Sequence, residues 1–150
     1  MNPTSSRPSE QAAVVAVIDP DVYTTGSQTS DWVDMSKFDS IQAICLVGTL
    51  GAGSTVNFKL QEATSATGAG AADLIGKAIT ALTATGTDSD KQAIINLRAD
   101  ELTVSSADRY VAGVLTIAGG TTDTAAIITG HAPRHGPASA NDLSSVAEIV

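Results

Sequence analysis

Two histidines are the residues whose type and spacing could bind a metal ion. His131 and His135 lie four residues apart in the sequence HAPRH. Imidazoles at this spacing share one face of a helix, but Pro133 lies between them and prevents a helix. No other histidine, cysteine or carboxylate is near enough in sequence to complete a zinc shell. We therefore expect an exposed loop here rather than a metal site.

Paired carboxylates are the groups that acid–base chemistry would use, and three pairs occur: Asp19 with Asp21, Asp88 with Asp90, and Asp100 with Glu101. Each pair falls in a segment with the composition of a turn, where aspartate accepts hydrogen bonds from the backbone. Catalysis needs two carboxylates held across a pocket with different pKa values. A turn role is therefore favoured. Calcium binding by Asp88 and Asp90 is the alternative, because hard cations prefer clustered oxygen ligands.

Nucleophilic catalysis and phosphate binding lack a matching motif. The single cysteine, Cys45, lies in the apolar run IQAICLVG, which is typical of a buried strand residue. No Gly-x-Ser-x-Gly sequence is present. The stretches GTLGAGST and ATGAGAAD lack the Gly-Lys-Ser/Thr ending of a phosphate loop and are interpreted as hairpin tips. The sequence thus predicts a protein that is not an enzyme and has no cofactor.

Composition narrows the classes of partner. Sixteen acidic against eight basic residues give a net charge of −8, which disfavours nucleic acid because phosphates attract basic surfaces. No apolar run reaches the length of about 20 residues that spans a bilayer. The first eleven residues lack the apolar core of a signal peptide, so we expect synthesis in a reducing cytoplasm. Aromatic residues make up only 3% of the chain, too few for a sugar-stacking platform, and Trp32 is interpreted as a core residue.

Hydrophobic patterning predicts strands along almost the whole chain. Thr55–Glu62 alternates apolar and polar residues, as a half-buried antiparallel strand does. Further strands are predicted at Ala12–Ile18, Val22–Thr25, Asp31–Met35, Ser40–Leu50, Leu74–Leu82, Lys91–Arg98, Arg109–Ala118 and Thr124–His131. Short strands at this spacing, without long helical patterns, are typical of a sandwich or barrel. We predict an all-β protein: an antiparallel, jelly-roll-like β-sandwich of about eight strands, with extended N- and C-terminal arms.

The two ends of the chain differ from its strand-rich middle. Residues 1–11 are interpreted as an N-terminal arm, residues 12–131 as the β-sandwich domain, and residues 132–150 as a C-terminal arm. Arms of this composition become ordered when neighbouring subunits hold them, so we predict a homo-oligomer, with a trimer as one option. The C-terminal arm ends in a small apolar stripe that could dock in a groove of another subunit. The candidate interface residues are Pro133, Pro137, Leu143, Val146, Ile149 and Val150.

Several phrases of the sequence, in their order along the chain, resemble small virion proteins of tailed bacteriophages and prophages. They are VIDPDVYTTGSQTSDWVDMSKFDSIQAICLVGTL, TVNFKLQEATSATGAGAADLIGKAITAL, KQAIINLRADEL, RYVAGVLTIAGG and HGPASANDLSSVAEIV. In those proteins a segment like SDWVDMSKFD leads into a hydrophobic strand, and a phrase like VNFKLQEATS follows. The resemblance covers almost the whole chain from about Val17 onward. It lies in phrasing and order and includes no catalytic motif.

This resemblance implies a decoration, or cement, protein that binds the outer surface of a phage head, with the major capsid protein as its partner. Such a protein would be located on the virion and would strengthen the shell without chemistry. Two alternatives stay open. One is a tail or head–tail connector subunit, and the other is a virion-surface module that binds a carbohydrate or receptor. Exposure of Trp32 or Tyr110 beside a groove would favour the second alternative.

Overall fold

Ten β-strands form the sandwich in the computed structural model, which describes residues 6–103 and 109–150. They are β1 (Ala12–Tyr23), β2 (Gly26–Thr29), β3 (Val33–Asp34), β4 (Phe38–Leu50), β5 (Thr55–Ala63), β6 (Ala72–Ala78), β7 (Leu82–Thr83), β8 (Gln92–Arg98), β9 (Tyr110–Ala118) and β10 (Thr122–Pro133). A four-residue helix, α1 (Pro8–Gln11), precedes β1, and two 3₁₀ turns lie at Ala99–Glu101 and Ala138–Asn141. Within the described ranges, no helix has the length and apolar character needed to span a bilayer.

The strands pair into two antiparallel sheets with jelly-roll connectivity. One sheet has the order β1-β10-β4-β8, and the other has the order β2-β9-β5-β6. Strand β3 continues the pairing of β2 with β9, and β7 continues the pairing of β6 with β5, so ten segments fill eight strand positions. Strands β1, β4, β8 and β10 belong to the first sheet, and the other strands belong to the second. The chain therefore crosses between the sheets after β1, β3, β4, β7, β8 and β9. The predicted all-β sandwich of about eight strands is thereby confirmed.

The core lies between the inner faces of the two sheets. From Ile41 to Val47, residues at alternate positions of β4 are buried, and those between them are half-buried or exposed, as the pleat requires. Phe38 and Phe58 are the largest fully buried side chains. Each ring lies against a glycine of a neighbouring strand: a Cβ on Gly130 would come within 2.7 Å of the Phe38 ring, and one on Gly113 within 2.8 Å of the Phe58 ring. In the core, a phenylalanine ring of one strand thus packs over a glycine of the adjacent strand, once between β4 and β10 and once between β5 and β9.

Two predicted turns proved wrong. Asp19–Asp21 was predicted to end a strand, but β1 continues through it to Tyr23 with a register shift between Ile18 and Asp21. Strand β1 is an edge strand, where Pro20, which has no backbone N–H, is tolerated at an irregular position. Between the predicted strands Val22–Thr25 and Asp31–Met35 the sequence also predicts a turn at Gly26–Gln28, but this segment belongs to β2, which pairs with β9. The real turn falls before it, between Tyr23 and Gly26.

Candidate interaction surfaces

An aliphatic row crosses the outer face of the four-stranded sheet. Its members lie directly opposite one another on adjacent strands, and they are Val17, Ile127, Ile44 and Ile94. Residues that are paired in this way project from the same side of a sheet, and here that side faces away from the core. A second row pairs Ala125 with Leu46. Ile94 and Leu46 are 56% and 42% exposed, so the two rows form an apolar surface open to solvent.

One end of this face is acidic. A cleft of about 580 Å³ next to Leu46 is lined in part by Val22, Asp21, Asp90 and Asp123. Gly48 leaves room for the Asp123 side chain, because a Cβ there would lie 3.2 Å from the Cβ of Asp123. Within residues 6–103 and 109–150, none of these three carboxylates takes part in an ion pair.

The opposite end of the same face is polar, and its charges are neutralised. Gln42 and Asn96 are paired there, and the Gln42 amide donates to Asn96 Oδ1 at 3.4 Å. Beyond them, Arg98 is held by Asp100, with 2.6 Å between the guanidinium nitrogen and the carboxylate oxygen. The neighbouring His131 shares a hydrogen bond of 2.8 Å with the Thr129 hydroxyl. The outer face is thus apolar at its centre, acidic at one end and polar at the other.

The C-terminal segment folds back along the edge of β1. The Leu143 backbone N–H donates to the Val14 carbonyl at 2.9 Å, and the Val14 N–H donates to Asp142 Oδ1 at 2.7 Å. Ala138 in the preceding 3₁₀ turn is fully buried. These contacts occupy backbone groups that an edge strand otherwise leaves open.

The six predicted interface residues occupy different environments. Pro133 is the last residue of β10, and Pro137 is exposed just before the 3₁₀ turn. Leu143 and Val146 are half-buried, and the Val146 N–H donates to the Leu143 carbonyl. Ile149 and Val150 are exposed at the end of the chain. The structure therefore places Pro137, Ile149 and Val150 on an open surface, and the role of the six residues in an interface stays a prediction.

The aromatic side chains of Trp32 and Tyr110 line a second cleft, of about 300 Å³. Both are half-buried, so the prediction of Trp32 as a core residue is only partly met. The loop after β5 lies against Trp32, because a Cβ on Gly68 would come within 2.7 Å of its ring. Asp34 and Lys37 provide charged groups at the same cleft, and the Arg109 guanidinium lies 5.1 Å from the Tyr110 ring centre.

The residues considered for metal binding lie apart. His131 is half-buried on β10, whereas His135 is exposed beyond the end of that strand. Asp88 acts as a turn residue: its carboxylate accepts from the Thr83 N–H at 2.9 Å and from the Lys91 ammonium at 2.7 Å. Both interactions lower the pKa of Asp88, Lys91 contributing most. In the described part of the chain, no three His, Cys, Asp or Glu residues form a group that could hold a metal ion.

Cys45 is buried in the sandwich, as predicted. Burial raises the pKa of its thiol to about 11, and a hydrogen bond with Thr124 acts in the opposite direction. A thiol with so high a pKa is almost entirely protonated at neutral pH, and the protonated form is a poor nucleophile. The position is that of a small apolar core residue.

Sequence reasoning missed the aliphatic face, although a signal for it was present. Ile44 and Leu46 on β4, and Ile94 on β8, fall on the opposite face from the core residues of their strands. An apolar second face is also expected of a strand covered on both sides. Only the register, which places Ile127 between Val17 and Ile44, shows that these residues form one uncovered surface.

The fold and its surfaces define an antiparallel jelly-roll sandwich with an exposed aliphatic sheet face. No protein-family model and no curated protein matches the chain. Among solved structures it is similar to a chain in "Structure of infectious bursal disease virus Gx strain", with a TM-score of 0.42 and 14% sequence identity over 85% of this chain. The chain spans 33% of that longer chain.

Proposed function

We propose that this protein is a non-enzymatic structural component of a virion that binds the outer surface of a phage head and stabilises it. The observation that carries the proposal is the exposed aliphatic face of the four-stranded sheet, with Ile94 56% exposed and Leu46 42% exposed. Contiguous apolar surface on a folded domain is typical of a protein–protein contact site. The resemblance of the sequence to small phage virion proteins supports the choice of a capsid as the partner.

A structural role agrees with what the described side chains do. Cys45 is held as a protonated thiol, and the Asp88 carboxylate is engaged by Lys91 and the Thr83 backbone. Jelly rolls occur in viral capsid, lectin and cupin domains, so the fold alone leaves the class open. The surface and the sequence phrases together favour a cement protein whose many symmetric copies turn weak contacts into strong attachment.

The test is composition of the assembled particle. Mass spectrometry of purified virions from the phage that encodes the chain should detect it, in hundreds of copies per particle. Six or twelve copies would instead identify a ring subunit of the tail or the head–tail connector. Absence of the chain from virions would overturn the proposal.

One observation favours a carbohydrate-binding module as a second candidate. Trp32 and Tyr110 line the same cleft beside Asp34 and Lys37, and aromatic rings next to charged groups suit the apolar faces and hydroxyl groups of sugars. A glycan array with the wild-type chain tests this candidate. Binding that is lost in Trp32→Ala and kept in Ile75→Ala would support it.

A further inference from the structure

We propose that the outer face of the four-stranded sheet docks a protein of different sequence from this chain, one that presents lysine or arginine side chains beside an aliphatic patch. This inference rests on the proposed structural role and names the chemistry of the partner. The docking face comprises the aliphatic rows with Ile94 and Leu46, and the acidic cleft beside them.

The aliphatic rows supply the attraction. The row from Val17 through Ile127 and Ile44 to Ile94 crosses all four strands, so a partner meets apolar surface at each strand. Removing apolar area from water is favourable in proportion to the area buried. Large aliphatic side chains left more than 40% exposed, such as Ile94 and Leu46, gain most from being covered.

The acidic end supplies the selectivity for a cationic partner. Asp21, Asp90 and Asp123 line one cleft, and none of them is ion-paired within the described ranges. Lys91, next to Asp90 in sequence, is engaged by Asp88. The negative field acts on the nearby Tyr23, whose pKa is raised by burial and further by Asp21 and Asp19. Covering three uncompensated carboxylates with a surface that lacks cations would be costly.

The same distribution of charge disfavours a second copy of the chain as the occupant. Two copies facing each other through this sheet would set the acidic cleft either against its own equivalent or against the polar end of the other copy. The first arrangement places like charges together. In the second, the cations near Asn96 are Arg98 and Lys77, which Asp100 and Glu101 already neutralise. A different protein can instead present free cations.

The charge pattern also gives the complex an orientation. Gln92 and Arg98 are the first and last residues of β8, six residues and about 20 Å apart along an extended strand, and Asp90 lies two residues before Gln92. Cations on the partner therefore lie toward the end of the face at which Asp90, Asp123 and Val22 line the cleft. The polar end, with Gln42 and Asn96, contacts neutral surface.

The test uses capsids of the encoding phage assembled without this chain, to which purified variants are added. Ile94→Lys places a charge in the aliphatic row, and Ile75→Lys is the matched control because Ile75 lies on β6 of the other sheet and is 99% exposed. We expect Ile94→Lys to weaken capsid binding at least about tenfold, because the new ammonium group would be buried against the aliphatic patch of the partner. Ile75→Lys should bind as the wild type does. Circular dichroism and thermal melting check that both variants are folded.

A second pair of variants tests the acidic end. Asp123→Asn and Asp73→Asn change the net charge equally, and Asp73 lies on β6, paired with Lys59. We expect Asp123→Asn to weaken binding about threefold to tenfold at low salt, and to reduce the dependence of affinity on salt, because it removes a screened attraction. Asp73→Asn should leave both properties unchanged.

The outcomes separate this inference from the proposed function. If the wild type binds the capsids, and Ile94→Lys and Asp123→Asn bind equally well, the docking face is wrong while the structural role stands. If the wild type does not bind the capsids, both proposals fail. Light scattering adds one further outcome: a dimer of the free chain that Ile94→Lys dissociates would show that a second copy covers the face, and would overturn the inference.

Discussion

Cys45 and Glu62 show how burial decides what a side chain can do in this sandwich. Cys45 is fully covered on β4, and its thiol is kept protonated by its surroundings. Glu62 is only 4% exposed at the end of β5, where its Oε2 accepts from the Thr103 N–H at 2.9 Å. Residue 62 continues the alternation of Thr55–Glu62 onto the inner face, but its partner is 41 residues away in sequence. Contacts between residues so far apart in sequence depend on the topology of the fold, so a local sequence pattern cannot predict them.

We predict that Cys45 makes stability fall at alkaline pH. Its pKa is raised to about 11 by burial, so the unfolded chain loses the thiol proton at lower pH than the folded one. The stabilisation is complete below the ordinary thiol pKa of about 8.5 and is lost as the pH rises to about 11, amounting to about 3 kcal/mol. Urea denaturation of the wild type and Cys45→Ala at pH 7 and pH 10.5 measures it. The wild type should lose more free energy of unfolding than the variant, and equal losses would contradict the prediction.

Glu62→Ala should lower the free energy of unfolding by about 1–3 kcal/mol, because the Thr103 N–H loses its acceptor at a half-buried site. Glu62→Gln keeps a side-chain oxygen and should lose less. Urea denaturation of the two variants and the wild type checks this order. If the alanine and glutamine variants are equally stable, the hydrogen bond to Thr103 contributes nothing.

At the scale of the strands, local pattern predicted most of the sheet but not its irregularities. Strand β5 extends one residue beyond the predicted Thr55–Glu62, and β8 begins one residue after the predicted Lys91. The error at Asp19–Asp21 arose because Asp and Pro are typical of turns, whereas an edge strand with a bulge accepts them. The aliphatic face was missed for another reason: which isoleucines become neighbours depends on register, and register follows from the whole sheet.

The glycines opposite the two core phenylalanines should be intolerant of substitution. In Gly113→Ala the new methyl group would lie within 2.8 Å of the Phe58 ring, so we expect a loss of about 1–3 kcal/mol in the free energy of unfolding. The comparison repeats Gly113→Ala in a Phe58→Leu variant, because leucine is smaller than phenylalanine and leaves space for the new methyl group. In a double-mutant cycle, Gly113→Ala should cost less in the Phe58→Leu background than in the wild type. Equal costs in the two backgrounds would show that the ring is not what excludes the methyl group.

At the scale of the whole molecule, the docking face alone is too small for a stable one-to-one complex. Over the length of β8, about 20 Å, four strands about 4.8 Å apart give a face of roughly 400 Å². Specific interfaces bury about 800 Å² on each partner. Attachment to a shell therefore requires additional contacts or many copies, and the exposed chain end with Ile149 and Val150 is available for the former. The homo-oligomer and the division into arms and sandwich at residues 11/12 and 131/132 stay predictions.

The C-terminal segment should divide into a part that stabilises the fold and a part that does not. Removal of residues 147–150 deletes only exposed residues, including Ile149 and Val150, and we expect the free energy of unfolding to change by less than about 0.5 kcal/mol. Removal of residues 138–150 takes away buried Ala138 and the bonds of Asp142 and Leu143 to Val14. That deletion should cost several kcal/mol, at about 1 kcal/mol per hydrogen bond plus the lost apolar burial.

Urea denaturation measures both deletions, and Asp142→Ala in the full chain isolates the bond to the Val14 N–H. Asp142→Asn, which keeps an oxygen acceptor, is its control. The longer deletion should also aggregate, because it uncovers the edge of β1. Equal stability of the two deletions would mean that the folded-back segment contributes nothing to the sandwich. The two deletions, added to capsids, also test whether the chain end anchors the protein. If the shorter deletion binds more weakly at unchanged stability, residues 147–150 are the anchor. If its binding is unchanged, attachment depends on the sheet face.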